Sequence, residues 1–341
     1  MQNSSKKLSF ILFLLVLVLG MGLVSLCLGQ YYVDFKSVLG VLAEGLGMTD
    51  AGLSDAARAI VWYVRLPRVL VALMVGSALA MSGAVMQGLF GNPLADPGIV
   101  GVSAGASTGA VVAIALGFTA ANALITPIFA FAGSLIAVGL TLFLSMRQGK
   151  IPVMTLLLAG VAVGMLLGAV TSGILTLMNE QQTQQYLFWM VGGLDYRRWE
   201  HVYLALGPIT LGLLLMLLAA RHLNVLVLGE TEAKAVGVPV ALYRTGLLLI
   251  ASMTTAASVC VSGNIGFVGL VIPHMMRMLI GADHRVLLPA SALGGAFFLL
   301  LCDTLGRIVM PPTEIRVGIV TALLGAPYFL YLLRRLQKEI F

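Results

Sequence analysis

Charged residues in this chain are sparse and clumped, and the stretches between them are apolar over lengths that suit one or two membrane crossings. No charge falls between Lys7 and Asp34. Residues 69–95, 97–146, 151–179, 245–276, 286–302 and 317–333 are also free of charge. One helix crosses the hydrocarbon core in about 20 residues. The run 97–146 therefore holds two helices, with a break between Gly117 and Pro127. The run 245–276 turns near Ser262-Gly263-Asn264, and 203–220 adds one more. The pattern predicts ten spans, near 8–28, 69–89, 99–117, 126–146, 153–177, 203–220, 245–261, 267–281, 286–305 and 317–334. In lipid only helices and closed barrels satisfy their own backbone groups, and unbroken apolar runs are helices. The start, Lys6-Lys7 and then an apolar run from Leu8 to about Gly29, is like a secretory signal. It is longer than a signal core of about 7–15 residues and shows no clear small-x-small cleavage site, so it is assigned to the first span.

Composition agrees with that count and removes other classes. Sixty per cent of the residues are hydrophobic and 10% are charged, against about 25% charged in soluble domains. A soluble fold of this composition would expose large apolar patches. Disordered, secreted disulfide-rich and nucleic-acid-binding classes are excluded. The net charge of +6 fits basic residues on cytoplasmic loops. An even number of spans puts both termini on one side, and Lys6, Lys7, Arg334, Arg335 and Lys338 mark that side as cytoplasmic. The three cysteines, Cys27, Cys260 and Cys302, lie in apolar stretches without metal-ligand spacing and are expected as small hydrophobes. The expectation is an all-α polytopic membrane protein, a single permease-like domain over residues 1–341.

Glycine is ordered. Gly101, Gly105 and Gly109 repeat every fourth residue on the third span, and Gly160, Gly164 and Gly168 do so on the fifth. Such stripes let helix backbones touch, and both are expected to pack inside the bundle, with the lining of a path as the second reading. A faint internal echo links Ser82-Gly83, Gly88-Leu89 and Pro93 with Ser262-Gly263, Gly269-Leu270 and Pro273.

Catalytic chemistry is missing. There is no phosphate loop, because Gly149-Lys150 is followed by Ile151. No nucleophile–base set or metal-binding pair stands out, and His201, His222, His274 and His284 are dispersed. Ion-driven carriers keep ionisable groups at mid-membrane. Here the one good acidic candidate is Asp303, and Arg307 shares its helical face four residues on, which predicts a structural pair. An ion-coupled secondary carrier acting alone remains the rival reading, and an energy-supplying partner subunit is favoured. The loop 221–244 reads equally as a docking knob for that partner or as an ordinary connection. Thr231–Ala235 reads as a short helix with acids at its start, stopped by Gly237 and Pro239.

Several long motifs resemble one family. Arg65-Leu66-Pro67-Arg68 with the run Ser82 to Pro97 (SGAVMQGLFGNPLADP), then Gly263 to Arg277 (GNIGFVGLVIPHMMR), then Val317 to Phe329 (VGIVTALLGAPYF), are similar to the FecCD-type permeases of iron-siderophore, haem and cobalamin ABC importers. The resemblance covers nearly the whole chain. It implies a ten-span permease in a prokaryotic inner membrane, paired with a second copy as a homodimer or with a related permease, and surrounded by lipid. Two ATPase subunits holding ATP-Mg would dock inside, and a substrate-binding protein outside. This chain would bind no cofactor or metal itself, catalyse no reaction and contact no nucleic acid. By the same resemblance, Arg65, Arg68 and Arg307 face outward to pair with acidic groups of the binding protein. Gly229, Glu230, Ala233, Lys234, Val236 and Gly237 form the coupling segment. Asn92, Pro93 and Leu94 with Pro152, Val153 and Met154 form the cytoplasmic gate. A ferric siderophore is the default cargo, followed by haem and cobalamin, and Met86, Met165 and Met190 are candidates to line the path. The chain departs from the pattern at Arg316, where the family has proline. That arginine is expected either at the outer mouth, on cargo or binding protein, or at the lipid interface.

Overall fold

The computed structural model describes residues 2–48, 54–120, 122–146 and 151–340, and these are helical with short connections. The side chains of Arg335 and Lys338 and the pair Gly149-Lys150 lie outside the described residues. All ten expected spans are present. They are α1 (Gln2–Cys27), α4 (Leu66–Phe90), α5 (Val102–Ala115), α6 (Ile125–Ser145), α7 (Val153–Leu175), α9 (Trp199–Leu218), α12 (Val240–Ser262), α13 (Val268–Ile280), α14 (His284–Ile308) and α15 (Val317–Ile340). Five smaller helices lie between them: α2 (Phe35–Gly45), α3 (Asp55–Arg58), α8 (Glu180–Val191), α10 (Ala220–Val227) and α11 (Glu230–Ala235). Seven helical stretches are long and apolar enough to cross a membrane, and α5, α13 and α15 add shorter apolar ones. The end of the bundle that holds both chain termini is called the inner end below.

α4 is the central pillar, with 78% of its most apolar stretch buried. It packs along α14, α12, α13 and α9. Gly76 faces Gly295 and Gly83 faces Gly269 so closely that a Cβ on either α4 glycine would lie within 2.3 Å of the opposite carbonyl oxygen. The two segments of the sequence echo thus meet each other across the α4–α13 contact. The first glycine stripe behaves as expected: Gly105 and Gly109 lie against the backbone of Gly133 and Phe129 on α6.

Two spans are short for a physical reason. α5 has 14 residues and α13 has 13, or about 20 Å at 1.5 Å per residue, against about 30 Å of hydrocarbon. Each is preceded by a non-helical segment inside the bundle. After α4 ends at the left-handed Gly91, residues 92–95 form a tight turn, closed by Ala95 N donating to Asn92 O at 3.1 Å. A 3₁₀ turn, Pro97–Val100, then leads into α5. The expected third span, starting at 99, includes part of that turn.

α8 was not expected. Its signal is local: Asn179 caps Gln182 N, and Gln182 returns the bond to Asn179 N, a reciprocal capping box.

Candidate functional site

The inner end carries the short helix expected in the loop 221–244. α11 is a six-residue helix entered at Gly229 (φ 127°) and left at Gly237 (φ 79°), both in the positive-φ region that favours glycine. Glu230 and Lys234 pair at 2.7 Å across one turn, with Arg244 at 3.7 Å from the same carboxylate. Ala233 is fully buried against the bundle, whereas Val227, Leu228 and Val236 are exposed. The segment is therefore anchored from below and presents apolar side chains outward beside charges. It is fixed further by α10, where Asn224 Nδ2 donates to Asp283 Oδ1 at 2.8 Å and Asn224 Oδ1 accepts from His284 N at 2.8 Å. His222 stacks on Tyr243 at 4.0 Å. Bonds from Arg285, and then from Asn224, hold the Asp283 carboxyl well below the usual carboxylate range.

The two expected gate segments lie at this same end. Asn92 is exposed, with its Oδ1 accepting from Leu94 N at 2.9 Å, and Pro93 and Leu94 are half-buried. Pro152 and Met154 are exposed and Val153 is half-buried. Their buried neighbours, Ala95 and Ile151, belong to one apolar cluster with Leu89 and Leu156.

At the outer end the side chains of Arg65 and Arg307 are turned into the chain. Arg65 and Arg307 are 5% and 3% exposed. Arg65 donates to the carbonyls of Leu26 (2.6 Å), Cys27 (2.8 Å) and Tyr31, and Arg307 to those of Ser25 and Leu28, the Ser25 hydroxyl and Thr304. The reason is the C-terminus of α1. It has no basic residue in its last turn, its last carbonyls lack intrahelical donors, and its dipole is negative there. Arginines from two other helices supply what is missing. Arg68 binds Asp303 with two nitrogens (3.0 and 2.8 Å) and Glu314 with the third (2.7 Å). The expected Asp303–Arg307 pair exists at 3.3 Å. Asp303 is thus enclosed between two arginines near the outer end of α14.

Arg316 is also held. It pairs with Asp195 at 3.1 Å, donates to Phe188 O at 2.9 Å and lies 4.6 Å over the Phe188 ring. This ties the start of α15 to α8 and uses the guanidinium inside the chain.

The second glycine stripe departs from the expectation of bundle packing. Gly160 touches Ile99 O, but Gly164 and Gly168 have nothing within 4 Å of a Cβ position. Only 17% of the most apolar part of α7 is buried. Met154, Leu158, Val161 and Met165, spaced at three and four, form an exposed stripe. Met190 is part exposed too, whereas Met86 lies in the core.

The matched family model, the FecCD transport family, covers residues 14–335. This chain belongs to the FecCD transport family. It is 48% identical to the cobalamin import system permease BtuC of Halobacterium salinarum, over 83% of this chain and 75% of that one. It is 42% identical to the hemin transport system permease HmuU of Yersinia pestis, over 96% of each. Among solved structures it superposes with TM-score 0.85 and 32% identity on an inward-facing metal-chelate-type ABC transporter, covering 96% of this chain and 99% of that one. The chain is a permease subunit of an ABC importer, and ATP hydrolysis resides in a separate subunit.

Proposed function

We propose that this chain carries a large metal chelate across a prokaryotic plasma membrane by alternating access, along a path between two permease copies. The observation that carries the reading is the open face of α7. A lipid-facing helix needs only bulk, and α1 exposes Leu12, Phe13, Val16 and Leu19 in that way. α7 is less covered still, with 17% of its most apolar stretch buried against 28% in α1, and it sets Gly164 and Gly168 one turn apart beside exposed Leu, Val and Met, the composition of a face that meets another helix or a cargo. The cargo is a cobalamin, haem or ferric-siderophore type of chelate. The named relatives put cobalamin and haem ahead of the siderophore that the resemblance alone made the default. ATP-driven closure of two ATPase subunits acts through Gly229–Gly237, where Val236 and Leu228 offer the apolar contact. Asn92–Leu94 and Pro152–Met154 close the inner end. The binding protein docks on the outer rim at Arg68, where an acidic group competes with Glu314, while Arg65 and Arg307 brace that rim through the end of α1.

The test is uptake in liposomes holding this chain with its ATPase and binding protein. The expected result is accumulation of one chelate that needs both ATP and the binding protein. Accumulation driven by an ion gradient without the ATPase would overturn the reading.

A further inference from the structure

The sequence places Asp96 in an inner loop, yet the structure sets it, half-buried, beside the middle of α4. Its Oδ2 lies 3.2 Å from the Cβ position of Gly269, a position that is itself 3.0 Å from Leu79 O at the middle of α4. Beside it is a cavity of about 50 Å³ lined by Leu79, Asp96, Ser103, Thr255, Asn264 and Gly269 among others. The cavity sits where the non-helical entries to α5 and α13 come together.

The lining sets one carboxylate and the polar residues Ser103, Thr255 and Asn264 among apolar neighbours such as Leu79, Val259 and Ile265. Asp96 Oδ1 accepts from Gly98 N at 2.7 Å. None of the ion pairs among the described residues includes Asp96. The hydroxyl of Thr255 donates to Ala251 O at 2.8 Å, so what it turns to the cavity is acceptor capacity. Ser103 and Asn264 also line the space, and no lysine or arginine does. A carboxylate at this depth without a counter-charge is costly. The contrast is Asp303, which is fully buried and enclosed by two arginines, whereas Asp96 is half-buried.

We infer that the Asp96 cavity binds one small monovalent cation, of which Na⁺ is the type. The charge matches, since one carboxylate with neutral oxygens balances a single positive charge and would leave a divalent ion under-compensated. Mg²⁺ and Ca²⁺ sites draw on more carboxylates and more water. The size matches, since a water-sized occupant needs at least about 10–15 Å³ of such space, which leaves room for the ion and a water or two. Access exists, because Asn264 and Gly266 are exposed and open the cavity to its surroundings. The ion joins the starts of α5 and α13 to the middle of α4, so its occupancy stiffens the two points where the spans are broken. The inference goes beyond the transport reading and does not depend on which chelate is carried.

The test is thermal unfolding of the purified full chain in nanodiscs, in NaCl against choline chloride at equal ionic strength and pH. Na⁺ at tenfold its Kd is expected to raise Tm by about 3 °C, saturably. Asp96→Asn is expected to abolish the shift while unfolding no lower than the wild-type protein in choline. Should that variant fail to fold, Asn264→Ala and Ser103→Ala are expected to raise the apparent Kd for Na⁺ at least threefold. Equal Tm in Na⁺ and choline for the wild-type protein would overturn the site. So would an unchanged Na⁺ shift in Asp96→Asn, or a Tm in choline that tracks pH with no response to Na⁺, which would assign the charge balance to a proton.

Discussion

Two glycine stripes with the same four-residue spacing have opposite fates in this molecule. On α5, Gly105 and Gly109 are pressed against the backbone of α6. On α7, Gly164 and Gly168 meet nothing. The same contrast runs through the whole chain. On the packed side, around α4 and α14, close contacts are backbone on backbone and the buried charges of Asp303 and Arg68 are compensated. The α7 side leaves methionine, leucine, valine and glycine uncovered. Spacing in sequence marks a face where backbones can approach. Whether the approaching helix belongs to the same chain is decided by tertiary structure, and that difference separates scaffold from working surface.

The packed side should be brittle and the open side tolerant. Asp303→Asn leaves Arg68 and Arg307 facing each other with a single remaining acid at Glu314. Loss of the partner of a buried pair costs about 3–5 kcal/mol, so folded yield and Tm of the purified chain should drop sharply. A fold that survives with unchanged Tm would break the contrast. Gly109→Val places a Cβ about 2.0 Å from Phe129 O. Overpacking of this kind costs about 1–3 kcal/mol or more, read as loss of monodisperse protein in size-exclusion chromatography. Gly164→Val, with open space around it, should change stability by no more than about 0.5 kcal/mol. Its expected defect is in ATP-dependent uptake by the assembled transporter, and a variant that folds poorly would show α7 to be packed after all.

The knob at the inner end sharpens the same distinction between anchoring and presenting residues. Val236→Asp should leave the chain folded, because Val236 is exposed, and should reduce co-purification of the ATPase by at least tenfold. Ala233→Asp should instead lose the fold of the segment, because Ala233 is buried. The smallest effect concerns pH. The carboxyl of Asp283 is held below its usual range, so the stability it contributes is present above the unfolded carboxylate pKa and is lost only as pH falls through the lower folded value. The tie between α10 and α14 should therefore give flat hydrogen-exchange protection from about pH 8 to pH 5.

Most of the fold was legible because the bilayer imposes it: charges end spans, and each apolar run is one or two helices. What escaped were segments whose position depends on their neighbours. Asp96 follows α4 by six residues in sequence, and the turn at residues 92–95 brings its carboxylate beside Gly269 and Leu79. α8 is too polar for a hydropathy reading and shows itself only through the Asn179–Gln182 capping box. The ion pairs of Arg68 and the carbonyl contacts of Arg65 and Arg307 escaped as well. The direction of Arg65 and Arg307 could not be read, since it is set by the uncapped carbonyls of α1 in three dimensions. The short helix in the loop 221–244 was legible because a helix of six residues bounded by Gly229 and Gly237 is local information.

The open face of α7 is proposed as an inner surface of a two-permease assembly. It is tested most directly by spin-labelling Met165→Cys in a chain whose Cys27, Cys260 and Cys302 are replaced by serine, and measuring the distance between labels in the ATPase-bound transporter in nanodiscs. The account predicts a single inter-copy distance within reach of dipolar spectroscopy, shifting when ATP is bound. Labels that show no coupling to a second copy, with or without ATP, would contradict it.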